Sequence, residues 1–436
     1  TIIENLTSGS TYDDGVDTFI TGTDPNNYVW YSGKLWRAVL VNNEAKTTKL
    51  VTEWNISTIA YSSGSSDFAG SYMKEWLNDT TVDGFLGNLR EPNKFIVTDS
   101  VWDASLDTTS LGSITRPNET TTVTNAVGLL NMYEYQSSSG ENAVSYTNSY
   151  LNNGLNWWVL TPSDMNFVRY LHYTGNAYSS ESYNTSGVRP SINLKSSVII
   201  VDGTGTETDP YRLAGDNDTN LNGTLLNTRY SGEYIKFGNA ENNLYRIVSH
   251  ENGEGTKIVS AEPIKSSGTF ITSAFGSNVT FSSANTIGTF LNGDYLNSYV
   301  DSSYSEIIEE STTWYLGTVA HGSSYILAKY KDVNRSSYVS STESKVGILR
   351  LGELMAGQFE RYALKGESTS TVLTTTYWTL TALNSSGIYS VGNIGSAAGY
   401  TPEKIHSIRP SLNLKSNVII TSGDGTKENP FEIALQ

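Results

Sequence analysis

One passage of this chain is written twice. Residues 189–213 read RPSINLKSSVIIVDGTGTETDPYRL and residues 409–433 read RPSLNLKSNVIITSGDGTKENPFEI, gapless at an offset of 220 and identical at 14 of 25 positions. Agreement of that length at a fixed offset marks a repeated folding unit. The same offset sets Trp158-Val159-Leu160-Thr161 on Trp378-Thr379-Leu380-Thr381. An offset of 219 sets Val127-Gly128-Leu129-Leu130 on Val346-Gly347-Ile348-Leu349. Further upstream the register drifts: Leu35-Trp36-Arg37 meets Leu244-Tyr245-Arg246, and Thr48-Lys49-Leu50-Val51 meets Thr256-Lys257-Ile258-Val259. The expected organisation is a polar N-terminal arm over 1–27 and two tandem homologous domains over 28–215 and 216–436. Their joint falls in the turn-rich AGDNDTNLNGTLLNT of 214–228. At 436 residues the chain also exceeds what one hydrophobic core usually serves.

Within each copy the pattern predicts an α+β, β-dominated fold with one or two short helices. Tyr28–Leu40 and Lys49–Glu53 alternate β-branched and aromatic residues around polar turns, as a strand pair does. Tyr72, Met73, Trp76 and Leu77 form one apolar helical stripe, answered in the second copy by a helix over Asn285–Leu291. The stretches holding Glu134 and Glu353 predict a second short helix. A hairpin closes each copy, turning at DGTGTETDP and at SGDGTKENP.

Composition narrows the function classes. Lys and Arg number 28 against 44 Asp and Glu, a net charge of −16, which disfavours nucleic acid and anionic membrane surfaces as partners. Ser (57), Thr (50) and Asn (39) dominate while charged residues are 17%, a surface typical of extracellular β-rich modules. Cysteine is absent, which excludes disulfides, thiolate metal sites and cysteine nucleophiles. No apolar run approaches the roughly 18 residues of a membrane helix, so no direct membrane insertion is expected. Thr1 in place of Met is expected to mark a processed chain.

Comparing the copies separates scaffold from surface. Residues 162–187 and 382–407 have equal length but match at only 2 of 26 positions. That is the behaviour of a fixed backbone path with replaceable side chains. PSDMNFVRYLHYTGNAYSSESYNTSG is rich in Tyr, Ser, Asn and Gly, the residues of adaptable binding loops, although a solvated hairpin drifting neutrally has the same signature. The candidate ligand-binding residues are Arg169, Tyr170, His172, Tyr173, Tyr178 and Tyr183 in the first stretch and Tyr389, Tyr400 and His406 in the second. Trp36, Trp76, Trp102, Trp157 and Trp158 each meet an aromatic in the other copy (Tyr245, Phe290, Trp314, Tyr377, Trp378) and read as core. Trp30 and Trp54 meet none, standing near Lys236 and Glu262. They join the candidates as stacking surfaces, with a local packing difference as the alternative.

The chain carries no recognised catalytic or phosphate-binding motif. His172, His250, His321 and His406 have no metal-ligand spacing, and HExxH, G-x-S-x-G and G-x-x-x-x-G-K-[ST] are all absent. Asp216–Gly223 resembles a calcium loop but carries Leu221 at the sixth position and Asn227 where the bidentate Glu belongs. N-x-[ST] sequons, as at Asn5, Asn55, Asn118 and Asn334, occur about as often as this composition produces by chance. No catalytic residue, metal or cofactor is expected.

Trp158-x-Leu160-Thr161-Pro162, Gly187-Val188-Arg189-Pro190-Ser191-x-Asn193-Leu194-Lys195 and Gly203-x-Gly205-Thr206-x-x-x-Pro210-Tyr211 together resemble an uncharacterised domain family. That family is common in surface and secreted proteins of Firmicutes, often behind a prepilin-like segment. Copy two departs from it at Ala382 and Ile408. The opening hairpin, early helix and late Trp-bearing strands also resemble the C-type-lectin-like fold. The resemblance implies an extracellular surface protein of a Gram-positive bacterium, an adhesin or pilus-associated subunit that is not an enzyme. Its expected partner is an extracellular glycan or protein. Two alternatives stand beside it: a filament subunit that binds itself by donating the arm as a strand, and a glycan-active enzyme using a carboxylate pair.

Overall fold

A computed structural model describes residues 2–6, 9–109, 114–141, 148–217, 220–250, 255–319, 340–357, 375–392 and 397–436. The chain divides after Asp218 into two compact units.

The first unit runs β1 (Thr11–Asp13), β2 (Asp17–Ile20), β3 (Tyr28–Tyr31), β4 (Lys34–Asn42), β5 (Thr48–Thr52), β6 (Ser57–Ala60), β7 (Ser100–Asp103) and β8 (Thr122–Asn125). It continues through β9 (Trp157–Pro162), β10 (Phe167–Leu171), β11 (Ala177–Glu181), β12 (Thr185–Val188), β13 (Ser191–Leu194), β14 (Ile200–Asp202) and β15 (Tyr211–Leu213). One sheet follows the order β1-β2-β4-β3-β15-β14, with β5 pairing the other edge of β4 and β13 pairing β5. A second sheet has the order β11-β10-β9-β12-β6, and β7 pairs β8. Strands β3 and β9 read as near-continuous apolar runs because they are covered on both faces.

The second unit runs β16 (Tyr234–Lys236), β17 (Leu244–Ser249), β18 (Thr256–Ser260), β19 (Lys265–Ser266), β20 (Thr269–Phe270), β21 (Thr272–Ala274), β22 (Thr312–Leu316) and β23 (Ser340–Ser344). Then come β24 (Val346–Gly347), β25 (Tyr377–Asn384), β26 (Gly387–Val391), β27 (Ala397–Tyr400), β28 (Ile405–Ser407), β29 (Ser411–Leu414), β30 (Val418–Ser422) and β31 (Glu432–Leu435). Its main sheets are β16-β17-β18-β29-β24 and β21-β28-β25-β26-β27.

The helices form where the sequence places them. Ser71 caps Tyr72–Asn78 by accepting from the Lys74 N–H at 2.9 Å, and Met73, Trp76 and Leu77 are its buried stripe. Asn285 caps Thr286–Phe290 in the same way through the Gly288 N–H. The helices expected around Glu134 and Glu353 are Met132–Ser137 and Leu351–Met355. Each closing hairpin, β14–β15 and β30–β31, needs glycine. Gly203 and Gly423 have φ of 90° and 86°, and a Cβ at either would strike the carbonyl of Pro210 or Pro430.

One expectation is corrected. Within the segment 1–27 expected as an N-terminal arm, β1 and β2 form a hairpin, and β2 pairs with β4 through Asp17↔Asn42, Thr18↔Val41 and Phe19↔Leu40. Phe19 is fully buried, so an apolar anchor ties the segment into the first sheet.

Candidate functional site

The second sheet of the first unit carries an aromatic lane that runs from core to surface. Trp158 on β9 is fully buried, donates from Nε1 to the Ile59 carbonyl at 3.0 Å, and is edged by Tyr61 at 5.7 Å. Directly opposite it on β10 stands Tyr170, 6.3 Å away, and opposite Tyr170 on the edge strand β11 stands Tyr178, 6.0 Å further out. His172 lies 5.4 Å from Tyr178 and 3.9 Å from Tyr173. Register therefore aligns these rings on one face. Tyr173 and Tyr178 are 47% and 49% exposed, while Tyr170 and His172 are half-buried beneath them. Burial, then the neighbouring Tyr178, raises the Tyr170 phenol above its ordinary value. His172 Nδ1 is 2.8 Å from Thr174 Oγ1, and the Tyr173 N–H donates to Asn156 Oδ1 at 2.8 Å, which fixes the turn. Tyr183 is also exposed, at the next turn, with its hydroxyl donating to the Glu181 carboxylate.

The structure removes three candidates. Trp30 is 3% exposed, because β3 lies inside the sheet between β4 and β15. Arg169 is 6% exposed, and its guanidinium donates to the carbonyls of Asp107 and Thr109, both at 2.8 Å. Tyr389, one offset of 220 later, is fully buried and donates to the Val319 carbonyl at 3.0 Å. Both residues use the same face of their strand to hold a loop carbonyl. Trp54 is half-buried beside β5.

The second unit's lane is arranged differently. Trp378 faces Ser390 on β26, and its ring cover comes from His406 on β28, 4.4 Å away, with Tyr400 edge-on to His406 at 4.6 Å. Positions equivalent to His172, Tyr178 and Tyr183 are Gly392, Ala398 and Glu403. Residues 393–396 of this stretch, His321, Asn334 and part of the calcium-loop segment lie outside the described residues. Among the described residues, the exposed aromatic cluster is a feature of the first unit.

Sequence reasoning missed a second constellation, present in both units. Lys49 on β5 pairs with Glu134, and Lys257 on β18 pairs with Glu353 at 2.6 Å. Each glutamate is the third residue of its helix and accepts from a capping N–H, that of Asn131 or Arg350, at 3.0 Å. The ammonium groups lie 4.9 Å from the Trp102 ring and 5.0 Å from the Trp314 ring. Asn193 stands directly opposite Lys49 in register, as Asn413 does opposite Lys257. The Asn193 amide donates to Ser100 Oγ at 3.0 Å and that of Asn413 to Thr312 Oγ1 at 3.2 Å. Lys49 and Lys257 sit in segments already matched between the copies, as do Asn193 and Asn413. The drifting offset hid their meeting with the glutamates.

A shallow cleft of about 500 Å³ also opens in the first unit, lined by Asn78, Leu86, Leu89, Pro92 and Asn125 among others; no predicted site residue lines it. No group of three or more potential metal ligands occurs among the described residues. No described helix is long and apolar enough to cross a membrane.

Set against known proteins, residues 45–196 match the model of a domain of unknown function, DUF6273. That span begins just ahead of β5, ends just after β13, and covers well under half of the chain. No curated protein and no solved structure matches it.

Proposed function

We propose that the chain is a duplicated, extracellular surface protein of a Gram-positive bacterium that binds glycan non-covalently through the outer face of β10 and β11 in its first unit. The observation that carries the reading is the cluster Tyr170, His172, Tyr173 and Tyr178, which keeps its two outermost rings about half exposed on a rigid sheet. Flat aromatic faces flanked by short hydroxyl and amide side chains (Thr174, Asn176) suit the apolar face and hydroxyl rim of a sugar ring. The acid, hydroxyl-rich composition supports an extracellular setting, and the recurrence of equivalent contacts in both units supports tandem copies of one domain. A lectin-like division of labour, with variable loops on a constant scaffold, is the fold-level analogy.

The test is a glycan array probed with the full chain and with Tyr173→Ser/Tyr178→Ser, whose exposed positions leave folding intact. Binding lost in the variant at unchanged melting temperature supports the reading. Binding retained, or no glycan bound by the wild-type chain, overturns it. Capture of a protein partner that depends on the same tyrosines reassigns the ligand class.

A further inference from the structure

We propose that each Lys–Glu–Asn constellation closes an intramolecular amide bond, joining Lys49 Nζ to Asn193 Cγ in the first unit and Lys257 Nζ to Asn413 Cγ in the second. The proposal does not depend on the glycan reading.

Three observations carry it. First, the reacting residues are directly opposed on adjacent antiparallel strands, a register that sets their Cβ atoms on the same face about 5 Å apart. Second, each lysine already contacts a glutamate whose other oxygen is held by a helix-capping N–H, so a proton carrier is positioned at the amine. Third, an indole roofs each group, which is buried in the second unit and mostly buried in the first, and the asparagine amide nitrogen is held by a hydroxyl. In the second unit Lys257 is 2% exposed and Glu353 4%. A buried ion pair of this kind is poor value as a stabiliser, because desolvation offsets most of its Coulomb attraction. Its recurrence in both units, each time facing an asparagine, calls for another role.

The chemistry balances without any co-reactant. The lysine passes a proton to the glutamate, and the neutral Nζ attacks the asparagine Cγ. The new C–N bond forms as the old C–NH2 bond breaks. The glutamic acid returns its proton to the departing nitrogen, and ammonia leaves with the second proton of the amine. Nothing is oxidised or reduced, and the glutamate ends as it began. Holding amine and amide together replaces an unfavourable encounter in water with an intramolecular one.

The experiment is the intact mass of the denatured full chain. Two bonds lower it by about 34 Da from the sequence mass, about 17 Da for each ammonia lost. Proteolysis then yields a Lys49 peptide joined to an Asn193 peptide, and a Lys257 peptide joined to an Asn413 peptide. Lys49→Arg and Lys257→Arg each restore about 17 Da, and Glu134→Gln and Glu353→Gln do the same if the glutamate moves the proton. A wild-type chain at its full sequence mass overturns the proposal. So does a deficit that persists in the double Lys→Arg chain, since asparagine–glycine pairs such as Asn153-Gly154 lose ammonia on their own. Because the wild-type digest needs no variant to fold, each unit is decided separately.

Discussion

The His406 imidazole lies 4.4 Å from the Trp378 indole, and its Nδ1 is 2.8 Å from Ser390 Oγ. In the first unit the equivalent indole, Trp158, is flanked by Tyr170 where Ser390 stands and by Ser186 where His406 stands. The two units cover one buried indole from opposite neighbouring strands, exchanging a ring and a serine. Each arrangement fills the same space once.

That exchange predicts a strong coupling. His406→Ser alone uncovers the indole and costs about 1–2 kcal/mol, and adding Ser390→Tyr recovers most of it. Denaturant unfolding of the two single variants and the double variant measures the coupling. Strictly additive costs would show that the positions are independent.

His406 also makes the second unit sensitive to pH. Burial, then the nearby Lys404 charge, holds its pKa below the ordinary histidine value. The folded state therefore resists protonation, so its stability is complete above the unfolded value of about 6.5 and is lost as pH falls toward the lower folded value. Melting temperatures should fall from pH 7.5 to pH 5 and fall less in His406→Phe. A profile unchanged by that substitution would remove His406 as the cause.

Gly128 and Gly347 meet the faces of Trp102 and Trp314, where any Cβ would overlap the indole. Gly128→Ala or Gly347→Ala should cost about 1–3 kcal/mol, more than typical surface changes. Because each indole lies over its lysine, the same variants should also reduce the ammonia-loss product of that unit. Wild-type stability in both would mean that the ring has room to retreat.

Asp14 anchors the hairpin that replaces the expected arm. Its carboxylate accepts from Tyr133 Oη at 2.7 Å, from Arg116 Nε at 2.9 Å, and from the N–H groups of Val16 and Asp17. Burial pushes the carboxyl up, but these donors more than reverse it and leave it below the ordinary value. Asp14→Asn should speed amide exchange in β1 and β2 by roughly tenfold with little change in β5. Wild-type exchange should show the same loosening as pH falls below about 4, since a depressed carboxylate loses its contribution on protonation. Uniform exchange across both sheets would assign the hairpin's stability elsewhere.

The repeated sequence made much of this fold legible. An offset of 220 correctly pairs Trp157 with Tyr377 and Gly187 with Ser407, which occupy equivalent registers in the two units. What it does not carry is which face of a strand points inward. Arg169 and Tyr170 are neighbours in sequence, yet one reaches into a loop around residue 108 and the other faces the surface lane. The loop partner is some sixty residues away, so no local pattern announces it. Trp30 failed for a related reason. The same parallel pairing sets Arg212 beside Trp30 in one unit and Glu432, bonded to Lys236, in the other, so position and burial there do not depend on an aromatic counterpart. The lysine–asparagine opposition became visible only when β5 was found against β13.

That pairing of β5 with β13 has a bearing on how the protein is made. The strand at Thr48–Thr52 pairs early with Lys34–Asn42 but finds its second neighbour only once Ser191–Leu194 exists, so the first sheet is completed only when nearly the whole unit has emerged. A half-synthesised unit leaves β5 with one bare edge, open to pairing with another chain until its last strand arrives.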